Sequence, residues 1–459
     1  MPELEQHHHS QHLRILELNR ALNDGMFVHV RRMLQQMPAC DVALLLQSTP
    51  ITERKILWQL TDPEQQGEIL EELNEDAMES ILKMMDPENL AAATEGMDID
   101  DLTYVLRSLP DDVYQQVLEQ MDSDERHRVE IALAYPEDTA GSLMNNDTIA
   151  LRPDVSIDVV LRYLRLRGEL PEATDALFVV DKENKYLGDV PLARLLTVDP
   201  SENVESIMGK RPERIIPVSM SENSVAQLFE RHDWISAPVV DLQGELVGRI
   251  TIDDVVDIIR ENTEHSMMGM AGVDDDEDTF APIWQSTKGR TLWLGINLLT
   301  ALFAASISNL FENTLAQMAT LAVLMTIVPS QGGIAGTQTL AVVIRGLAVG
   351  HIGASNMRWL IFKEVAIGGL NGLIWAVTIA GVVYIWKDSI QLGLISAAAM
   401  FADMFMAGLA GVSIPLFMQK MKIDPALAGG MVLTTVTDSV GIFSFLGIAT
   451  LLLNHHIAI

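Results

Sequence analysis

LAGGMVLTTVTDSVGIFSFLGIATLLL, residues Leu427 to Leu453, is long enough to cross a bilayer core of about 30 Å. It carries one acid, Asp438, near its middle. A carboxylate at that depth costs at least ~2.5–3.5 kcal/mol, so it is kept where it faces protein, water or an ion. At about 100° per residue, Gly430, Thr434, Thr437, Asp438 and Gly441 share a sector of about 100°, while Val432, Val436, Val440 and Phe443 lie away from it. Small residues let a neighbouring helix approach closely, and hydroxyls and a carboxylate are the ligands that hard cations prefer. On this stretch alone two readings stay open: tight helix packing with Asp438 tied to a polar partner, or contact with a cation.

Four more apolar stretches, 291–311, 315–350, 357–386 and 390–421, make five spans and a polytopic membrane protein. Lys288, Arg290, Arg345, Arg358, Lys363, Lys420 and Lys422 flank one side of a five-span arrangement and Lys387 the other. The positive-inside rule then puts the N-terminal part in the cytosol and the C-terminus outside. The second stretch, 36 residues, would be about 54 Å as one helix. A break is expected at Pro329–Gly336 (PSQGGIAG), a feature tolerated at membrane depth where backbone lines protein or a watery cavity.

Charge is distributed very unevenly along the chain. From Lys288 onward there are eight Lys/Arg and six Asp/Glu, a net of +2, so the whole-chain −32 leaves −34 on the first 287 residues. Such a front part repels nucleic acid and attracts cations. The single cysteine, Cys40, excludes an internal disulfide. Met1 to Leu13 is polar and lacks the apolar core of a signal peptide, and His7, His8 and His9 read as part of a solvated tail.

From about residue 13 to 135, breaks begin at Leu60, Leu73, Met85, Met97, Leu109 and Met121, spaced by 13 and then 12 residues. About nine residues per helix is too few to stand alone, so neighbours must stack as a helical superhelix. The breaks (Asp62-Pro63, Asp86-Pro87, Pro110-Asp111) suit helix starts, where Asp caps and Pro takes the first turn. Capping is therefore the first explanation for any single acid there.

Residues 136 to 252 hold a longer repeat. Phe178-Val179-Val180-Asp181 recurs as Pro238-Val239-Val240-Asp241, and Leu187-Gly188-Asp189 as Val247-Gly248-Arg249, both displaced by 60 residues. Each copy reads helix, strand, turn, strand, helix, with helices predicted from Ser156 and Ser224 and strands over 176–181 and 237–241. The next helix runs from near Ile252 to about Gly269, with Asp254, Asp257, Glu261 and Glu264 on one face. Either a solvated linker or gathered cations would account for those acids. Asp274–Asp278 reads as a flexible joint.

The repeat resembles a tandem pair of CBS domains, which implies an α/β module that often binds adenine nucleotides. Thr251 and Asp253 match the ribose-contacting region in outline, whereas Val190-Pro191-Leu192-Ala193 in the first copy lacks it. The order of parts resembles the MgtE family of magnesium channels. Three stretches carry that resemblance: Tyr135–Met144 (YPEDTAGSLM), Gly332–Gln338 (GGIAGTQ, with Ile334 where the family usually has Asn), and Asp424-Pro425-Ala426-Leu427-Ala428 followed by Thr434-Thr435-Val436-Thr437-Asp438. The resemblance implies an acidic α-helical superhelix over 1–135, CBS domains over 136–252, an acidic connecting (plug) helix and linker over 253–283, and five transmembrane helices over 284–459.

It further implies a non-enzymatic homodimer in the inner cell membrane with a pore on its two-fold axis. Asp438 would bind Mg²⁺ there, beside Gly430 and Thr434. Cytosolic Mg²⁺ would close the pore by binding among Asp254, Asp257, Glu261, Glu264, Asp424, Asp98, Asp100 and Asp101, with Arg260 and His265 interrupting that set. ATP at the CBS pair is a further expectation. The alternatives are a coupled divalent-cation carrier for Mg²⁺ or Co²⁺, a membrane scaffold without transport, and an intramembrane aspartyl protease using Asp403 and Asp438.

Overall fold

The computed structural model describes residues 17–18, 20–22, 24–95, 97–171, 173–273, 279–353 and 355–454. The histidines at 7–9 and the acidic run at 274–278 lie outside them. Two compact units are present, one of residues up to Glu261 (with 279–282) and one of Asn262 onward.

In the first unit, helical segments begin at residues 27, 39, 51, 63, 75, 87, 99, 111 and 123, a constant step of 12 that refines the 13-then-12 spacing of the breaks. Each short helix buries one face by packing on the helix two places along: 27–34 on 51–60, 39–47 on 66–71, 87–93 on 111–120. Leu57, Ile69, Met78, Ile81, Leu90, Leu102 and Val117 form the shared core, which supplies the stability that nine residues of helix lack. The capping expectation needs correction. Asp62 accepts from the Glu64 amide, but Asp86 and Asp98, also at N-cap positions, make no side-chain cap bond. The helix Ile99–Arg107, α1, therefore starts on an acid whose carboxylate is free for other work.

The repeat folds as two three-stranded sheets. The first contains β1 (Ala150–Leu151), β2 (Ala176–Val180) and β3 (Tyr186–Pro191), and the second β4 (Ile216–Pro217), β5 (Ser236–Val240) and β6 (Leu246–Thr251). The antiparallel register Ala176↔Pro191 to Val180↔Tyr186 recurs as Ser236↔Thr251 to Val240↔Leu246, shifted by 60 residues and with its bulge at the same place. The turns match as well: Asp181 Oδ1 accepts from the Glu183 and Lys185 amides, and Asp241 Oδ1 from those of Gln243 and Glu245. The second copy's helix starts at Glu222 after Ser221, three residues before the expected Ser224 cap start. Ser221 and Ser224 pair their hydroxyls at 2.9 Å, and neither Ser156 nor Ser221 makes a side-chain cap bond. Buried Arg214 joins the two copies, donating to Ser236 O, Asp175 and Asp189. After β6 the chain enters α2, Ile252–Met270.

Among its described residues the second unit holds five helices long and apolar enough to cross a membrane: α3 (Ile283–Asn309), α4 (Ile327–Ala348, whose span starts at Ala319), α5 (Met357–Lys387), α6 (Ile390–Lys420) and α7 (Pro425–Asn454). The break expected at Pro329–Gly336 is not there. The chain leaves the helix at Met318 and again at Met325–Thr326, just before α4, which runs unbroken through the glycines. Pro329 sits in the first turn, where a missing N–H has no intrahelical partner to lose. The span from Ala319, 30 residues, is about 45 Å long, which fits the full bilayer. Helix α6 is the hub, packing on α4, α5 and α7. Against α5 it comes into backbone contact: a Cβ on Gly368 would lie 2.8 Å from Met404 O, and one on Gly408 2.8 Å from Glu364 O. Small residues permit that approach where lipid offers no hydrophobic drive to bring helices together.

Candidate functional site

Helix α7 presents Gly430, Thr434 and Asp438 at steps of four, a stripe along one face. Thr434 is exposed and turns its hydroxyl back to Gly430 O at 2.9 Å, leaving its own surface to whatever lies alongside. Asp438 is half-buried, and among the described residues no Lys, Arg or His pairs with it. The rest of the polar sector turns inward. Thr437 is fully buried, its Oγ1 3.9 Å from where a Cβ on Gly333 would sit, and Gly441 receives the ring of Pro329. The glycines of α4 thus serve packing, and Ile334 stays exposed.

The mouth of this stripe meets the last turns of α2. A Cβ on Gly269 would lie 3.2 Å from the Ala426 carbonyl carbon, and Met270 O is 3.9 Å from a Cβ position on Gly430. Asp424 accepts from the Ala426 amide at 2.8 Å, capping α7, and its other oxygen bonds His265 Nε2. A residue that interrupts the acidic series therefore has a defined partner at the end of the fifth span.

A second acidic locus lies in the first unit, where α1 meets the start of α2. Asp98 accepts from Asn145 Nδ2 at 2.7 Å, and Asp100, Asp101 and Asp254 bear on one another. Burial, and then the charge of Asp254, pushes the Asp100 carboxyl well above its usual range. Burial, then Glu71 and Asp254, pushes Asp101 to about 8. Burial, then Asp253, pushes Asp254 to about 7. Asp98 is raised less directly: burial raises it, while the nearby charge of Arg249 opposes the shift. One oxygen of Asp100 is buried without a hydrogen-bond partner. Carboxylates so placed repel until a proton or cation neutralises them.

Of the sensor acids expected from sequence, the first unit brings Asp98, Asp100, Asp101 and Asp254 within electrostatic reach of one another. Asp257 pairs with Arg260 at 3.0 Å, while Glu261 and Glu264 stay exposed one and two turns on. Among the described residues no three His, Cys, Asp or Glu converge as a ready metal centre. Beside the residues expected at a nucleotide, the Thr251 amide and hydroxyl both donate to Asp254 Oδ2, at 3.2 and 3.0 Å. Glu71, Asn145 and the cap role of Asp254 were not anticipated, since no periodicity marks them.

Comparison with known proteins follows this division. The profile of MgtE, divalent cation transporter, matches residues 325–448, that of the MgtE intracellular N domain 37–138, and CBS domains 140–201 and 189–261. The magnesium transporter MgtE of Bacillus subtilis is 32% identical over 72% of this chain and 74% of its own length. That of Enterococcus faecalis is 30% identical over 73% and 74%. The chain belongs to the MgtE family. Among solved structures, the cytosolic domain of the Mg²⁺ channel MgtE in complex with ATP aligns with 53% of this chain and 99% of its own, at 29% identity and a TM-score of 0.49. Family membership and five apolar helices make this a membrane protein.

Proposed function

We propose that this MgtE family member carries Mg²⁺ into the cell as a passive channel closed by cytosolic Mg²⁺. The observation that carries the reading is Asp438, a half-buried carboxylate without a cationic partner, at the end of the Gly430–Thr434 stripe. Mg²⁺ sheds water reluctantly and is usually held by one or two carboxylates with several waters retained. In a homodimer, Asp438 of each copy would face the two-fold axis, with Thr434 and Gly430 lining the approach. The basic flanks support an orientation with the acidic domains in the cytosol and the C-terminus outside, in the inner cell membrane.

Closure would follow from the sensor. Mg²⁺ among Asp98, Asp100, Asp101 and Asp254 relieves their repulsion and favours the packed arrangement by its differential affinity for it. Asp257 and Glu261 would add to that set from the connecting helix, while Glu264 and Asp424 would offer carboxylates to Mg²⁺ within the second unit. An adenine nucleotide at Thr251 and Asp253 would compete with the cap that Thr251 makes to Asp254. A protease needs two acids open to one water, and Asp403 is fully enclosed.

The test is Mg²⁺ flux into liposomes bearing the purified chain. Asp438→Asn should conduct far less, whereas Asp101→Asn should conduct normally and resist inhibition. Uptake by Asp438→Asn equal to wild type would remove the pore assignment. Dependence of wild-type flux on a H⁺ or Na⁺ gradient would replace the channel with a coupled carrier.

A further inference from the structure

Between α4 and α5, which both pack on α6, runs a groove of about 200 Å³ whose lining includes Gln338, Val342, Lys363, Glu364, Ile367 and Asn371. Glu364 is 4% exposed. Thr339 Oγ1 donates to one of its oxygens at 3.3 Å and Lys363 Nζ to the other at 3.1 Å. Lys363 keeps 40% of its side chain exposed, and its Nζ also stands 5.9 Å from the centre of the Trp359 ring. Gln338 is exposed and Asn371 half-buried, and among the described residues neither amide makes a hydrogen bond. Lipid tails cannot answer such groups, so something polar must enter the groove.

Depth and charge decide what enters. Helix α5 has 31 residues, about 46 Å against a hydrocarbon core of about 30 Å, which leaves about 8 Å at each end among the headgroups. Lys363 lies about 9 Å from the start of the helix, where hydrocarbon gives way to headgroups. Trp359 at this end and Trp386, with Lys387 Nζ 4.1 Å from its ring, at the other mark the two interfaces. Arg345 follows Gln338 by two helical turns on the same face of α4, is exposed, and has no ion pair among the described residues. Lys363 and Arg345 thus set two cations against the one carboxylate of Glu364 at the mouth of the groove. A second copy related by an axis along the membrane normal would bring the same residues to the same depth, cation against cation. A phosphate answers the charge instead.

We propose that the α4–α5 groove holds one anionic glycerophospholipid from the leaflet on the side of the basic flanks. Its phosphate lies between Lys363 and Arg345, its ester oxygens turn towards the Gln338 and Asn371 amides, and one acyl chain follows Val342 and Ile367. Glu364 holds the Lys363 ammonium at the mouth, so that the cation is already ordered when the phosphate arrives. Basic pockets between spans on the cytosolic side are suited to anionic headgroups. The inference needs the membrane spans but not the pore.

The experiment is native mass spectrometry of the full chain released from detergent, titrated with phosphatidylglycerol, with phosphatidylcholine of the same acyl chains, and with glycerol 3-phosphate as the headgroup alone. Wild type should retain one phosphatidylglycerol per chain in preference to phosphatidylcholine. Arg345→Gln should weaken phosphatidylglycerol binding about fivefold, the scale of one basic residue at a charged surface, and leave phosphatidylcholine unchanged. Val342→Trp fills the groove and should expel the lipid. Retention of phosphatidylglycerol by both variants at the wild-type level would overturn the proposal. So would competition by glycerol 3-phosphate at the lipid's own concentration, which would identify a site for soluble phosphate. Should Val342→Trp fail to fold, Arg345→Gln decides by the same comparison. A disulfide between two copies at Val342→Cys, in a Cys40→Ser background, would show that a second copy covers the groove and would also overturn the site. None of these readings depends on Mg²⁺ flux, so the proposal and the channel reading stand or fall separately.

Discussion

Asn145 Nδ2 donates a 2.7 Å hydrogen bond to Asp98 Oδ2, tying the start of α1 to a residue whose backbone pairs with Arg249 of β6. Asp98 therefore has both a donor and a nearby cation, whereas the charges nearest Asp100, Asp101 and Asp254 are other carboxylates. An acid whose folded pKa is raised binds more protons folded than unfolded. Stability therefore falls as pH rises from about 4, the unfolded value, towards the folded values near 7 and 8. Without Mg²⁺ the first unit should melt lower at pH 8 than at pH 5.5, and Mg²⁺ should restore it at pH 8 far more than at pH 5.5. Asp101→Asn should raise the Mg²⁺-free melting temperature at pH 8 by about 2–4 °C and shrink the Mg²⁺ effect. A melting temperature independent of pH over this range would contradict the shared-charge reading.

Arg214 gives a second prediction. Its guanidinium serves Asp175, Asp189 and the Ser236 carbonyl while almost wholly buried. Removing one member of a buried pair leaves an uncompensated charge, at a cost of about 3–5 kcal/mol. Arg214→Met should speed amide exchange through β2 and β5 together, because the residue spans both copies. Faster exchange in only one sheet would show that the two copies are held by other contacts.

The repeat registers were legible in the sequence because each copy keeps its strands, bulge and Asp turn at a fixed offset of 60 residues. The five spans were legible because lipid demands long apolar runs. The break in the second span was misplaced because Pro and Gly signal interruption in water, whereas here Pro329 falls in a first turn and Gly332 and Gly333 admit neighbours. The acids on α2 were legible as a face, but which would be gathered was not. Asp254 meets α1 only through the folding of the superhelix, and Asp257 is answered locally by Arg260. Asp403 stood out as an acid within a span, yet its close packing against Gly332 is a property of the packed helices alone.

Gly332 yields a prediction about packing. A Cβ there would overlap the Asp403 carboxylate, so Gly332→Ala should destabilise the membrane half by about 1–3 kcal/mol, the usual scale of overpacking. Asp403→Ala removes the clashing atoms, so the double variant should be more stable than Gly332→Ala alone. That coupling is expected of residues in contact. Additive losses in detergent melting would place the strain elsewhere.

His265 and Asp424 govern the last prediction. The imidazole binds one oxygen of Asp424 while the other caps α7, and this anchors the end of α2 where Met270 O approaches Gly430. If that contact holds the pore shut, its loss must favour the open state at every Mg²⁺ concentration. A hydrogen bond to a charged group is worth about 1.5–3 kcal/mol, so His265→Ala should shift the inhibitory cytosolic Mg²⁺ concentration upward by about tenfold or more. His265→Glu sets a carboxylate against Asp424, so closure should become more dependent on Mg²⁺, since only a cation bridges like charges. The two variants thus part company in steepness even where both leak. Identical inhibition curves for wild type and both variants would mean that α2 rests on the fifth span without controlling it.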